Sequence, residues 1–156
     1  MIPDLGKVKD WILLGVCDAS NKTSKDMFSV GGHVILLVNK KTDAAAIIHW
    51  SSKKLIRVVS SSLAAETISM QNLSSNMFFV KSLLKELLGA EAENIQGLVL
   101  NDNQDLFSCV HNIKACDDKR LLADVIGIRQ AIHQDKVIHE VRYVPGKLMI
   151  ADCLTK

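Results

Sequence analysis

The sequence predicts a single α/β domain in which helices pack on a mixed β-sheet. Three apolar runs of strand length occur in the first 54 residues, joined by short connections as in an antiparallel meander. Hydrophobic residues then recur at helical spacing over about five turns. Strand and helix patterns alternate after this long helix. A meander followed by alternation predicts a sheet that combines antiparallel and parallel strands.

Composition supports one folded domain. The chain has 156 residues, of which 48% are hydrophobic and 23% charged, so wholesale disorder is excluded. This length suits a single domain spanning residues 1–156. No apolar run reaches the roughly 18 residues of a membrane span. The cysteines (Cys17, Cys109, Cys116, Cys153) form no close-spaced pairs, which indicates free thiols of a reducing compartment.

The charge is unevenly distributed along the chain. The formal net charge is +2. Residues 1–60 carry nine Lys or Arg against five Asp or Glu, a balance of +4, and residues 61–156 carry ten against twelve, a balance of −2. This basic first part permits contact with a polyanion without requiring it.

The first three predicted strands cover residues 11–17, 27–38 and 45–50. Gly31 and Gly32 interrupt the second of them, which suggests a bulge or a close backbone approach. Both tryptophans fall in these strands and are expected in the core. The polar residues that follow the third run are expected to end it.

The predicted long helix begins at a run of three serines and ends at Gly89. Ser60, Ser61 and Ser62 are N-cap candidates. Its apolar stripe consists of Met70, Leu73, Met77, Val80, Leu84 and Leu87.

Shorter elements fill the rest of the chain. We expect a buried strand at 98–100, helices at 104–112 and 119–134, and a last strand at 137–144. A short final helix is expected near Lys147.

Four carboxylates stand out by position. Asp18 follows the first predicted strand, and Asp102 follows the buried strand after one residue. If these strands are parallel neighbours, both side chains reach the same edge of the sheet. Glu66 lies on the helical stripe extended backwards from Met70, which places a carboxylate on the core-facing side. Asp152 lies in the final segment.

Each carboxylate also has a structural interpretation. An Asp after a strand commonly forms a turn or caps a helix, a Glu in a first helical turn favours the helix dipole, and a lone Asp is commonly solvated. If several carboxylates converge, a metal-binding role is favoured over these structural roles, because clustered negative charges need a divalent cation. Hard oxygen ligands select Mg²⁺ or Mn²⁺, and two such ions about 4 Å apart suit phosphodiester hydrolysis.

Ordered motifs along nearly the whole chain resemble the ribonuclease H domain of copia-type LTR retrotransposons, where it follows reverse transcriptase in a Pol polyprotein. The stretch Trp50-Ser-Ser-Lys-Lys54 followed by Ser60-Ser-Ser-Leu-Ala-Ala-Glu66 is the most specific. The other matching stretches are Gly15-Val-Cys-Asp18-Ala-Ser, Asp102-Asn103-Gln104 and Tyr143-Val-Pro-Gly-Lys-Leu-Met-Ile-Ala-Asp152-Cys-Leu-Thr-Lys156.

The resemblance implies a ribonuclease H-like fold, with a five-stranded mixed sheet whose first three strands are antiparallel. It implies that Asp18, Glu66, Asp102 and Asp152 bind two Mg²⁺ ions, with Mn²⁺ as a substitute. Asp18 would bridge both ions, Glu66 and Asp102 would hold one side, and Asp152 the other. The reaction would cut the RNA strand of an RNA·DNA hybrid and leave a 3′-hydroxyl and a 5′-phosphate.

Small polar residues beside the carboxylates are candidates for contacting the RNA 2′-hydroxyl. They are Ser20, Asn21, Ser61, Ser62, Asn103 and Gln104. Lys53, Lys54 and Arg57 are candidates for holding backbone phosphates. Turn, helix-cap or solvated roles explain each of these positions about equally well, so both interpretations stay open.

The expected partners are an RNA·DNA hybrid and a reverse transcriptase domain in the same polyprotein, with no membrane. The expected location is cytoplasmic, in a virus-like particle, or nuclear. One alternative is a ribonuclease H-like domain that is weakly active or inactive and binds nucleic acid or supports a polymerase. Another is an integrase or transposase core, which usually has three carboxylates at other spacings.

Overall fold

A computed structural model describes residues 3–21, 28–111, 116 and 118–155. The strands are β1 (Trp11–Ser20), β2 (Val30–Asn39), β3 (Ala45–Lys54), β4 (Gln96–Asn101) and β5 (Glu140–Tyr143). The helices are α1 (Ser62–Leu88), α2 (Gln104–Val110) and α3 (Lys119–His133). Short 3-10 helices lie at Val8–Asp10, Gly89–Asn94, Gly146–Leu148 and Ile150–Leu154.

The five strands form one sheet in the order β3-β2-β1-β4-β5. β1 pairs antiparallel with β2, and β2 pairs antiparallel with β3. On the other side, β4 runs parallel to both β1 and β5. The predicted mixed sheet with three antiparallel strands at its start is confirmed.

Helix α1 has the ends that the sequence predicts. The Ser61 side chain accepts a hydrogen bond from the Ala64 amide at 3.1 Å, and Gly89 follows the last helical residue with φ of 62°. A positive φ favours glycine, which explains why the helix ends there. The predicted stripe is buried as far as Val80, whereas Leu87 is exposed.

Apolar clusters pack against both faces of the central strands β1 and β2. Helix α1 packs on the face that carries Leu13 and Ile35, and α3 packs beside α1. A smaller apolar cluster forms where the segment Ile150–Leu154 packs against β1 and β2. This cluster consists of Val16, Val34, Leu36, Met149 and Ala151.

Strand β3 differs from its prediction in length and exposure. It continues through Lys54, because Ser51 to Lys54 pair with the beginning of β2. β3 is an edge strand, and Trp50 is 64% exposed, so the expectation of a core position is wrong for this tryptophan. The register shift between β2 and β3 lies at Ile35 and Leu36, not at the glycines. Gly32 instead allows a close approach of Leu154 and Thr155.

Other predicted boundaries shift as well. The last strand begins at Glu140, because the amides of Val137 and Ile138 both donate to the Ala131 carbonyl at the end of α3. The final helix near Lys147 is a pair of 3-10 segments.

β2 begins at Val30 and α2 ends at Val110. The predicted limits Met27 and Asn112 lie outside the described residues. Within the part of the chain described here, no helix combines the length and hydropathy needed to cross a bilayer.

Candidate metal centre

Two neighbouring strands bring Asp18 and Asp102 to one edge of the sheet. The parallel pairing of β1 with β4 ends at Val16 and Leu100, and both aspartates come just beyond it. Asp18 still belongs to β1, because the antiparallel pairing with β2 continues to Ser20. The prediction that Asp18 follows the strand is therefore wrong, while the convergence that it implied is correct.

Helix α1 supplies the third carboxylate. Glu66 is only 3% exposed, as its position on the apolar stripe predicts. One carboxylate oxygen from each of Asp18, Glu66 and Asp102 lies within 4.8 Å of the others. Three acidic groups that are far apart in sequence thus meet in a space suited to a small cation.

Two hydrogen bonds hold the Glu66 side chain. The Ala19 amide donates to its Oε1 at 3.2 Å, and the Asn101 amide nitrogen donates to its Oε2 at 3.0 Å. Asn101 is 2% exposed, and its Oδ1 accepts a hydrogen bond from the Asn103 amide at 2.8 Å. The end of β4 therefore orients both Glu66 and the turn that presents Asp102.

The electrostatics of the cluster disfavour three negative charges. Burial raises the pKa of Glu66 to about 8, and the nearby Asp18 charge adds to this, against the hydrogen bonds from Asn101 and Ala19. Burial, followed by the Asp18 charge, also raises the pKa of Asp102. In the part of the chain that the structure describes, no ion pair involves these three carboxylates. A bound divalent cation would relieve this repulsion.

The donor set fits a hard divalent cation. All three side chains are carboxylates, and no thiol or imidazole belongs to the described cluster. Carboxylate oxygens suit Mg²⁺ and Mn²⁺ better than softer metals. The residues present therefore fit the metal that the sequence predicts.

Asp152 lies near this cluster but does not belong to the group within 4.8 Å. It is partly exposed in the 3-10 segment Ile150–Leu154. After burial and the Asp18 charge, its negative charge also raises the pKa of Asp102. The Thr155 side chain and amide connect its segment to Asp18. The role of Asp152 as a fourth ligand remains a prediction.

Several candidate substrate-binding residues occupy helix starts. Ser61 caps α1, and the Asn103 side chain caps α2 by accepting from the Leu106 amide at 2.9 Å. Ser62 and Gln104 are the exposed first residues of the same helices. All four therefore lie at the end of the sheet that carries the carboxylates.

The two polar residues at the end of β1 have different surroundings. Asn21 accepts a hydrogen bond from the Ser29 hydroxyl at 3.4 Å. The Ser20 hydroxyl is buried and has no hydrogen-bond partner among the described residues. Because this hydroxyl is buried, Ser20 stays a candidate whose own hydroxyl is not exposed to the substrate.

The basic candidates border a separate open groove. Lys53, Lys54 and Arg57 line a space of about 540 Å³ between α1 and the β2–β3 hairpin, and the carboxylates do not line it. The Lys54 ammonium lies 4.8 Å from the centre of the Phe28 ring. Arg57 binds both oxygens of Asp124 on α3 at 2.7 and 2.6 Å, so its guanidinium is already paired.

Sequence reasoning missed four residues that shape the centre. Asn101 orients Glu66, and the Ser69 hydroxyl donates to the Asp18 carbonyl at 2.9 Å. The Thr155 hydroxyl donates to Asp18 Oδ2. A Cβ at Gly146 would come within 2.9 Å of Asp102 Oδ2, so a larger residue there would push the Asp102 carboxylate aside. Ser69 could have been found, since it follows Glu66 at helical spacing.

Comparison with known proteins supports the fold. No protein-family model and no curated protein matches the sequence. Among solved structures, LC11-RNase H1 in complex with an RNA/DNA hybrid matches with a TM-score of 0.67 and 13% identity, covering 91% of this chain and 92% of that chain. The N-terminal RNase H domain of rv2228c from Mycobacterium tuberculosis matches with a TM-score of 0.58 and 15% identity, covering 92% and 91%.

A viral structure matches part of a longer chain. The foamy viral protease-reverse transcriptase in complex with an RNA/DNA hybrid matches with a TM-score of 0.61 and 13% identity. The match covers 98% of this chain and 20% of that chain. These likenesses define the class of structure: this chain has a ribonuclease H-like fold.

Proposed function

We propose that this chain is a metal-dependent endonuclease that hydrolyses the RNA strand of RNA·DNA hybrids, leaving a 3′-hydroxyl and a 5′-phosphate. The convergence of Asp18, Glu66 and Asp102 within 4.8 Å carries the proposal. It supports a metal centre at the carboxyl ends of neighbouring parallel strands, where ligands of open α/β sheets bind. Structures of similar fold solved with an RNA/DNA hybrid support the choice of substrate.

The acidic residues would hold two Mg²⁺ or Mn²⁺ ions. Asp18, Glu66 and Asp102 supply clustered oxygens, and Asp152 would complete the set from the neighbouring segment. When bound, such ions supply an activated water and stabilise the leaving 3′ oxygen. Asn101, which donates a hydrogen bond to Glu66 Oε2, would keep the Glu66 carboxylate turned into the cluster.

The polar residues around the cluster would recognise the hybrid. Ser20 lies two residues beyond Asp18 and is a candidate for contacting a 2′-hydroxyl, although its own hydroxyl is buried in the described structure. Ser61, Ser62, Asn103 and Gln104 at the helix starts, with Asn21, remain further candidates. Lys53 and Lys54 at the exposed end of β3 would hold backbone phosphates.

We place this activity in reverse transcription, beside a reverse transcriptase domain in the polyprotein of a copia-type retrotransposon. The ordered sequence motifs support this context. The foamy viral protease-reverse transcriptase is an example of this fold within a longer chain. Such an element would act in a cytoplasmic virus-like particle or in the nucleus.

One observation favours a second candidate function. Asp152 lies outside the 4.8 Å group, so the fourth carboxylate is not gathered with the other three. A domain with an incomplete centre would bind nucleic acid or support a polymerase without cutting. The two candidates differ in one measurable property, metal-dependent cleavage.

The test is cleavage of an end-labelled RNA·DNA hybrid in Mg²⁺, Mn²⁺ or EDTA, beside RNA·RNA and DNA·DNA duplexes. Asp102→Asn serves as the site variant. We expect metal-dependent cutting of RNA in the hybrid alone, lost in the variant. Product ends would be read by their ability to be extended or ligated.

Absence of cleavage with both metals would contradict the proposal for the isolated chain. Adding a reverse transcriptase domain then separates the remaining options. If cleavage is restored, the chain is a nuclease that depends on the reverse transcriptase domain. If cleavage is still absent, the chain has the binding or supporting role.

A further inference from the structure

We infer that Thr155 is a positioning residue for the proposed metal centre, because its hydroxyl holds the Asp18 carboxylate and links it to the segment that carries Asp152. The inference rests on the proposed function, since it assigns a role within that centre. Thr155 is a polar residue with only 3% of its surface exposed. Its hydroxyl donates to Asp18 Oδ2, a carboxylate oxygen 137 residues away in sequence.

The local backbone directs this hydroxyl. The Thr155 amide donates to the Asp152 carbonyl at 3.3 Å, which closes the 3-10 turn. Thr155 Oγ1 also lies 3.2 Å from that carbonyl. A hydroxyl has one proton to donate, and an ionised carboxylate is the stronger acceptor, so the proton goes to Asp18.

The segment itself is fixed on the sheet. The Ser52 hydroxyl on β3 donates to the Leu154 carbonyl at 2.6 Å, and Ala151 is fully buried. A Cβ at Gly32 would lie 2.8 Å from the Leu154 Cβ and 3.0 Å from the Thr155 Cγ2. Glycine on β2 therefore lets the segment come close enough for its threonine to reach Asp18.

The arrangement restricts the orientation of Asp18. Its backbone carbonyl accepts a hydrogen bond from Ser69, and one carboxylate oxygen accepts from Thr155. A ligand whose orientation is already fixed loses less freedom when it binds a metal ion. The Thr155 hydroxyl thus connects Asp18 to the turn whose backbone carbonyl belongs to Asp152.

Two substitutions at Thr155 isolate the hydroxyl. Thr155→Ser keeps it, Thr155→Ala removes it, and both lose the same methyl group. Ser74→Ala is the matched control, because that buried hydroxyl donates to the Met70 carbonyl within α1. Mn²⁺ binding to each full-length protein is measured by calorimetry without nucleic acid, and unfolding midpoints are recorded in EDTA.

We expect Thr155→Ala to bind Mn²⁺ at least about tenfold more weakly than the wild type, in line with the loss of other outer-sphere partners. Thr155→Ser and Ser74→Ala should stay within about threefold of the wild type on the same scale. Equal binding by the Ser and Ala variants of Thr155, or an equal loss in Ser74→Ala, would overturn the inference. Absence of Mn²⁺ binding by the wild type would overturn the metal centre itself.

Discussion

Glu66 combines burial with proximity to other acids, and its protonation reflects both. Its pKa is raised to about 8 by burial and by the Asp18 charge. Without metal, the folded protein therefore holds a proton on Glu66 that the unfolded chain, with a pKa near 4.5, has already lost. The free energy of unfolding of the metal-free protein must fall as pH rises through this interval.

This effect predicts a pH-dependent stability in EDTA. From pH 6.5 to 8, the free energy of unfolding should fall by about 1 to 2 kcal/mol, since one bound proton changes it by about 1.4 kcal/mol per pH unit. Burial lowers the pKa of His33 to about 4 and also lowers that of His139, so the unfolded histidines lose their last protons just above pH 6.5 and offset a small part of this fall equally in every Glu66 and Glu86 variant. Urea unfolding at both pH values measures the change.

Matched variants assign the effect to one side chain. Glu66→Gln should flatten the dependence, while Glu86→Gln, an exposed change on the same helix, should keep it. Saturating Mg²⁺ should restore stability at pH 8 in the wild type. An unchanged slope in Glu66→Gln would contradict the assigned pKa.

At the scale of elements, the 3-10 segment Ile150–Leu154 and strand β2 depend on each other. A Cβ at Gly32 would come within 2.8 Å of the Leu154 side chain, so Gly32→Ala must push this segment away from the sheet. We expect a loss of about 1 to 3 kcal/mol in the free energy of unfolding, as for other overpacked sites. Hybrid cleavage should fall as well, because Thr155 and Asp152 move with the segment.

Ser52→Ala is a milder change to the contact between the segment Ile150–Leu154 and the sheet. It removes the hydrogen bond to the Leu154 carbonyl without introducing a clash. Its cost should be near 1 kcal/mol, about the value of a single hydrogen bond. A Gly32→Ala protein as stable and active as the wild type would show that the segment is not held where the structure places it.

Elements with a strong local signal were predictable from sequence, and those fixed by distant contacts were not. The α1 stripe as far as Val80, its serine cap and Gly89 are local features, and they were placed correctly. The extension of β3 depends on pairing with β2, and the exposure of Trp50 depends on β3 lying at the sheet edge. Neither property is encoded in the residues of β3 alone.

At the scale of the whole molecule, the proposed RNA·DNA hybrid substrate is far more highly charged than the protein. The net charge is only +2, and the excess of positive over negative charge lies in the first part of the chain. Hybrid affinity should therefore fall as salt rises from about 50 to 200 mM. Replacing both Lys53 and Lys54 by Ala should reduce the salt slope by about one for each of these lysines that binds a phosphate.

The exposed lysines Lys7 and Lys9, near the opposite end of β1, provide the control pair. Their replacement by Ala should leave the slope unchanged. Binding is measured by fluorescence anisotropy of a labelled hybrid in EDTA. An affinity independent of salt would contradict phosphate contacts altogether.

The candidate site could be predicted from the sequence only as far as the arrangement of the strands could be. Asp18 and Asp102 converge because β1 and β4 are parallel neighbours, a pairing on which the sequence argument depended but which the residues alone did not establish. Glu66 was found as an acid on an apolar stripe. The hydrogen bonds from Asn101 to Glu66 and from Thr155 to Asp18 join residues far apart in sequence, so no local sequence pattern could predict them.

The central claim is that these carboxylates form a hydrolytic metal centre. The most direct test is the single-turnover rate of hybrid cleavage in Mg²⁺ for Asp18→Asn against Asp43→Asn, an exposed change in the β2–β3 turn. Several kcal/mol of metal-based stabilisation correspond to a loss of about 1,000-fold, which we expect for Asp18→Asn alone. A rate for Asp18→Asn equal to that of Asp43→Asn would contradict the account.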